Sequence, residues 1–170
     1  MARMSTAPHA ARDAPVEAVR PKAGSLNSLA FSATVHCLTG CAIGEVLGML
    51  LSTWWGWPPV PSIALAVVLA FGFGYGLTSV PLLRSGMSVR QAAPLAFASD
   101  TASIATMEVA DNLFIALVPG ALAAGLDSAL FWWSLIVSLL IAGAVAFPLN
   151  RRLIARGKGH AVVHAHHGGH

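Results

Sequence analysis

Charged side chains are scarce in this sequence: Asp, Glu, Lys and Arg make up 10% of it, against about a quarter in a soluble domain. With 56% hydrophobic residues and a mean hydropathy of +0.70, that shortage excludes an ordinary soluble domain and makes the lipid bilayer the first expected partner. Lys and Arg are missing from two long stretches, between Lys22 and Arg84 and between Arg90 and Arg151. No basic face interleaved with aromatics exists, so nucleic acid is not an expected partner. Also absent are a CxxC pair, a phosphate-binding glycine loop and an HExxH helix. No Ser, Cys or His set has the nucleophile, base and orienting group of a catalytic triad, and the expectation is that the protein is not an enzyme. No signal cleavage site follows the first apolar run, which starts near Leu26 and far exceeds a signal-peptide core. It is read as its own insertion anchor.

What the sequence has is four long apolar runs, at Leu26–Leu51, Pro61–Leu83, Leu95–Val118 and Leu130–Leu149. Each suffices, at about 1.5 Å per helical residue, for a hydrocarbon layer roughly 30 Å thick. The expected fold is therefore an all-α integral membrane bundle of four helices. Arg3, Arg12, Arg20 and Lys22 precede the first run, Arg84 and Arg90 separate the second from the third, and Arg151, Arg152, Arg156 and Lys158 follow the fourth. The positive-inside rule then predicts both termini and the loop between the second and third runs in the cytoplasm; the expected location is the cell's inner membrane. Trp54, Trp55, Trp57, Trp132 and Trp133 all fall at the opposite, outer interface, where aromatic belts sit. Residues 1–25 read as a disordered cytoplasmic tail, 26–152 as the membrane domain and 153–170 as a second cytoplasmic tail, rich in histidine.

Four of the seven acidic residues lie inside the runs. An intramembrane carboxylate costs roughly 2.5–3.5 kcal/mol at a helix centre on insertion scales, which makes it a functional hypothesis by default. In the first run, Cys37, Cys41 and Glu45 recur every four residues and so follow one side of a helix, with Gly40, Gly44 and Gly48 beside them offering close approach to a neighbour. His36 falls at the edge of that side, while Val35, Leu38, Ala42, Ile43, Val46 and Leu50 take the opposite side and are expected to face lipid. In the third run, Asp100, Met107 and Asp111 share a narrow arc, with Glu108 displaced about 80° from Asp100. The second run is expected to be scaffold, close-packed through Gly72, Gly74 and Gly76, and the fourth to be a packing and lipid-facing helix.

If the first and third helices run in the same direction, these groups form a ladder through the membrane with no Lys or Arg to neutralise it. The missing charge is then a proton, a metal ion or His36. Thiolate, thioether and imidazole favour Cu(I) or Zn(II), whereas carboxylates favour harder ions or protons. A disulfide between Cys37 and Cys41 is not expected, since i, i+4 positions on one helix meet its geometry poorly. The expected function is binding and translocation of a transition-metal cation, copper ahead of zinc. His36, Cys37, Cys41, Glu45, Asp100, Met107, Glu108 and Asp111 would be the intramembrane ligands, and His160, His164, His166, His167 and His170 of the tail would collect the ion. The alternatives are a proton-relay or thiol redox-sensing subunit and a purely structural subunit of a larger complex. Four helices leave little room for an alternating-access machine of repeated halves, so a homo-oligomer is expected.

The segments Thr34-Val-His-Cys-Leu-Thr-Gly-Cys-Ala-Ile-Gly-Glu45 and Ser99-Asp-Thr-Ala-Ser-Ile-Ala-Thr-Met-Glu-Val-Ala-Asp-Asn112 resemble a family of small bacterial membrane proteins known as a domain of unknown function. The resemblance covers about residues 26–155. It implies a bacterial four-helix membrane protein and carries no activity or site residues of its own.

Overall fold

The computed structural model describes residues 23–156; residues 1–22 and 157–170, with the five tail histidines, lie outside the described residues, whereas 23–25 and 153–155, expected in the tails, belong to helices. The described residues are all-α, with α1 at Ala23–Trp55, α2 at Pro59–Arg84, α3 at Val89–Leu117 and α4 at Ala129–Ala155, plus a short 3-10 turn at Ala121–Ala123. Helices stop where the sequence supplies a breaker. Gly56, Gly86 and Gly120 take positive φ values of 66°, 92° and 82° in the three connections, a conformation costly for any residue with a Cβ. Pro59 opens α2, where its missing N–H costs nothing. The backbone N–H of Ser88 donates to Gln91 Oε1 (3.1 Å) at the start of α3, one arm of a capping box.

The packing is antiparallel between neighbours and parallel across the diagonal. Along α1 the glycine seam meets α2 in reverse order: a Cβ on Gly40 would lie 2.8 Å from Gly74 Cα, one on Gly44 would overlap the backbone of Ala70, and one on Gly48 would lie 2.6 Å from Ala66 Cα. His36 Nε2 continues the seam with a 2.9 Å hydrogen bond to Thr78 Oγ1. On its other flank α1 meets α4, where Leu38 fills the space over Gly143 and Asn150 Nδ2 donates to Thr34 Oγ1 (2.9 Å). These contacts correct two sequence expectations. Leu38 and Val46 do not face lipid but pack half-buried, Leu38 against the cluster of Cys37, Cys41 and Ile104 and Val46 against Phe131 and Leu135, because α4 covers that side of α1. Of the three α2 glycines expected at close contacts, only Gly74 is one, with Ile104 against it; Gly72 and Gly76 border open space.

Polarity is inverted relative to a soluble protein. Glu45, Asp100, Glu108, Asp111 and Asn150 are buried, while Phe31, Val68, Phe97, Val109, Leu113 and Leu140 are exposed. Helices α1, α2 and α4 are long and apolar enough to cross a membrane. By composition α3 is not among them, since Asp100, Glu108 and Asp111 all lie along it, yet past its first turn it exposes Phe97, Val109, Leu113 and Leu117.

Candidate functional site

Helices α1 and α3 face one another in parallel register. Cys37 lies beside Ser103 and within electrostatic reach of Asp100, Cys41 beside Glu108, and Glu45 beside Asp111 and Glu108. Residue numbers rise together on the two helices, the direction the ladder requires. Both helices are straightforward consequences of a four-residue spacing: every fourth residue stays on one face, so one polar face meets another where neither meets lipid.

The rungs have different surroundings. At one level Asp100 is fully buried and its Oδ1 accepts from Ser99 Oγ (2.7 Å). In the middle, Met107 joins Cys37, Cys41, Ile104, Ala142 and Ala146 in one buried apolar cluster. Further along, Glu108 Oε2 lies 3.5 Å from Asn112 Nδ2, and Asp111 has Ser138 of α4 as a neighbour. Among the described residues, Glu45 Oε1, Glu45 Oε2, Glu108 Oε1 and Asp111 Oδ1 are buried with no hydrogen-bond partner. Such atoms cost free energy unless something neutralises or solvates them.

A cavity of about 440 Å³ opens at the tryptophan end of the bundle and is lined by the residues that carry these oxygens. Glu45, Glu108 and Asp111 form its polar floor, Met49, Ile63, Ile115, Phe131 and Leu135 its walls, and Trp57 with the 121–125 turn its rim. Cys37, Cys41, Met107 and Asp100 lie outside it, deeper in the packed interior. At the opposite, arginine-bearing end the bundle is closed by Leu82 with Ala92 and by Leu26, Ala30, Ala33 and Ile154. The ladder is therefore divided into an open carboxylate level and a sealed thiol level.

This division refines the residues selected from sequence. The facing of Cys37, Cys41 and Glu45 toward Asp100, Met107, Glu108 and Asp111 is present. His36 instead bonds to Thr78 on α2, because its position one residue before Cys37 turns it toward the glycine seam. Among the described residues no group of three or more His, Cys, Asp or Glu side chains converges as a metal site. Ser138 is a site residue that the acidic and thiol pattern does not select: Ser134 and Ser138 of α4 are buried and one turn apart, and that spacing is its signal in the sequence. Cys37 and Cys41 are each 1% exposed, so N-ethylmaleimide should leave both unmodified in the folded protein and modify both after denaturation, as read by intact mass.

No curated protein and no solved structure matches the chain. A family model does, over residues 27–159, a range that takes in the ladder residues of both helices. The chain thus belongs to the family described as Domain of unknown function (DUF4396).

Proposed function

We propose that this is a four-span inner-membrane protein, both termini cytoplasmic and assembled as a homo-oligomer, in which Glu45, Glu108 and Asp111 take up and release protons from the tryptophan side. The observation that carries this reading is the set of buried, unpartnered carboxyl oxygens at the cavity floor, in spans that contain no Lys or Arg between Arg90 and Arg151 or between Lys22 and Arg84. Neighbouring carboxylates in an apolar interior cannot all stay ionised without a counter-charge. A proton satisfies them in their present positions, with no need for ligands to converge. Beyond the floor, Cys41, Ser103 and Asp100 continue the line of polar groups toward the arginine end.

The test is proton flux in proteoliposomes loaded with a pH-sensitive dye. Glu45→Gln and Asp111→Asn should each slow flux by about tenfold or more, the loss expected when a charged hydrogen-bonding group worth roughly 1.5–3 kcal/mol is removed. Asp127→Asn, at an exposed loop position, should leave it unchanged. Equal flux in all four proteins would sink the reading.

A second reading, translocation of a transition-metal cation with copper foremost, is favoured by one observation: Cys37, Cys41 and Met107 share a single buried cluster, a donor set suited to Cu(I). Protein purified under reducing conditions without residues 157–170 should then retain copper, and the Cys37→Ser/Cys41→Ser variant should lose it. Absence of copper from the tail-less protein excludes this reading.

A further inference from the structure

We infer that the cavity is a binding site for an apolar organic cation, an ammonium ion carrying an aryl or branched alkyl group. The volume is the first ground. About 440 Å³ falls within the roughly 300–1,000 Å³ range of small-molecule sites and greatly exceeds what a proton or a bare metal ion occupies.

The lining is the second ground. Met49, Ile63, Ile115 and Leu135 make walls that solvate an apolar group, and Phe131 and Trp57 add aromatic faces, which attract cations through the ring quadrupole. All the charge is at one end. Glu45, Glu108 and Asp111 are 9%, 5% and 2% exposed, and between them they hold four buried oxygens without partners.

The grouping of these carboxyls is the third ground. Glu45 lies beside Asp111 and Glu108, yet among the described residues no three acidic, thiol or imidazole groups form a metal site. An ammonium group suits that geometry, because its charge is distributed over N–H or N–CH₃ groups and needs no fixed coordination number. Its apolar remainder would extend toward the rim, where Trp57 is 44% exposed. The occupant enters from the tryptophan side, since apolar clusters close the other end.

This inference rests on the same carboxyls as the proposed function but not on net proton movement. The experiment is equilibrium binding of radiolabelled benzyltrimethylammonium to the full chain in zwitterionic nanodiscs, with empty discs as baseline and neopentylbenzene, its uncharged isostere, as competitor. Saturable binding, undisturbed by the isostere, is expected for the wild type. The Glu45→Gln/Asp111→Asn variant should bind at least about tenfold more weakly, since each lost charged contact is worth more than 1.4 kcal/mol. Ile63→Trp fills the cavity and leaves every carboxyl in place; it should weaken binding similarly while keeping the wild-type elution volume, which separates loss of the site from loss of the fold. Displacement by the neutral isostere, or undiminished binding in both variants, overturns the inference. A wild type that moves protons but binds no ammonium ion overturns this inference alone. One that binds it but moves no protons overturns the transport reading alone.

Discussion

Gly44→Leu should abolish the folded bundle. A Cβ at Gly44 already overlaps the backbone of Ala70, and backbone, unlike a flexible side-chain tip, cannot turn aside. The two helices must separate along the whole seam, which also holds Gly40 against Gly74 and Gly48 against Ala66. In a membrane, where apolar side chains gain little by leaving lipid, this close approach is a principal source of helix association. Overpacking a tight site costs about 3 kcal/mol or more at the severe end, and here the clash is with main chain. The expected result is loss of the monodisperse elution peak in detergent. Gly72→Leu is the control, because a Cβ there meets nothing within 4 Å, and its stability should stay within about 0.5 kcal/mol of wild type. Equal behaviour of the two variants would show that the seam does not hold α1 to α2.

The second large effect runs in the opposite direction. Replacing Glu45 and Asp111 together by Leu should stabilise the protein while abolishing the proposed proton flux. Their unpartnered oxygens lie in the interior, where a buried polar group without a hydrogen bond costs about 1–3 kcal/mol, a cost that apolar side chains remove. The cavity beside them has room for the added methyl groups. If the carboxyls serve only to join α1 to α3, the variant should instead unfold more easily, so the sign of the change in thermal midpoint separates a structural role from a functional one. Natural proteins commonly retain destabilising groups where function needs them.

Much of the helical pairing was legible in the chain itself. Cys37, Cys41 and Glu45 recur every four residues, as do Gly40, Gly44 and Gly48, and a membrane helix can hide polar groups only by turning them toward another helix. The same constraint pointed Asp100, Met107, Glu108 and Asp111 inward on α3. It could not say which helix each residue would meet. His36 differs from Cys37 by about 100° of rotation, enough to direct it to Thr78 of α2, and Leu38 was assigned to lipid because its partner, Gly143, is on a helix more than a hundred residues away.

The sequence by itself determined that the chain is helical, which faces are polar, and that two of those faces belong together, because 3.6-residue periodicity and the cost of burying charge act locally along each helix. Only the tertiary structure decided that the ladder is split, with Glu45, Glu108 and Asp111 open to a cavity and Cys37, Cys41, Met107 and Asp100 sealed behind them. The cavity is bounded by residues from all four helices and by the 121–125 turn. Space of that kind depends on how separate helices cross, and no single stretch of sequence encodes it.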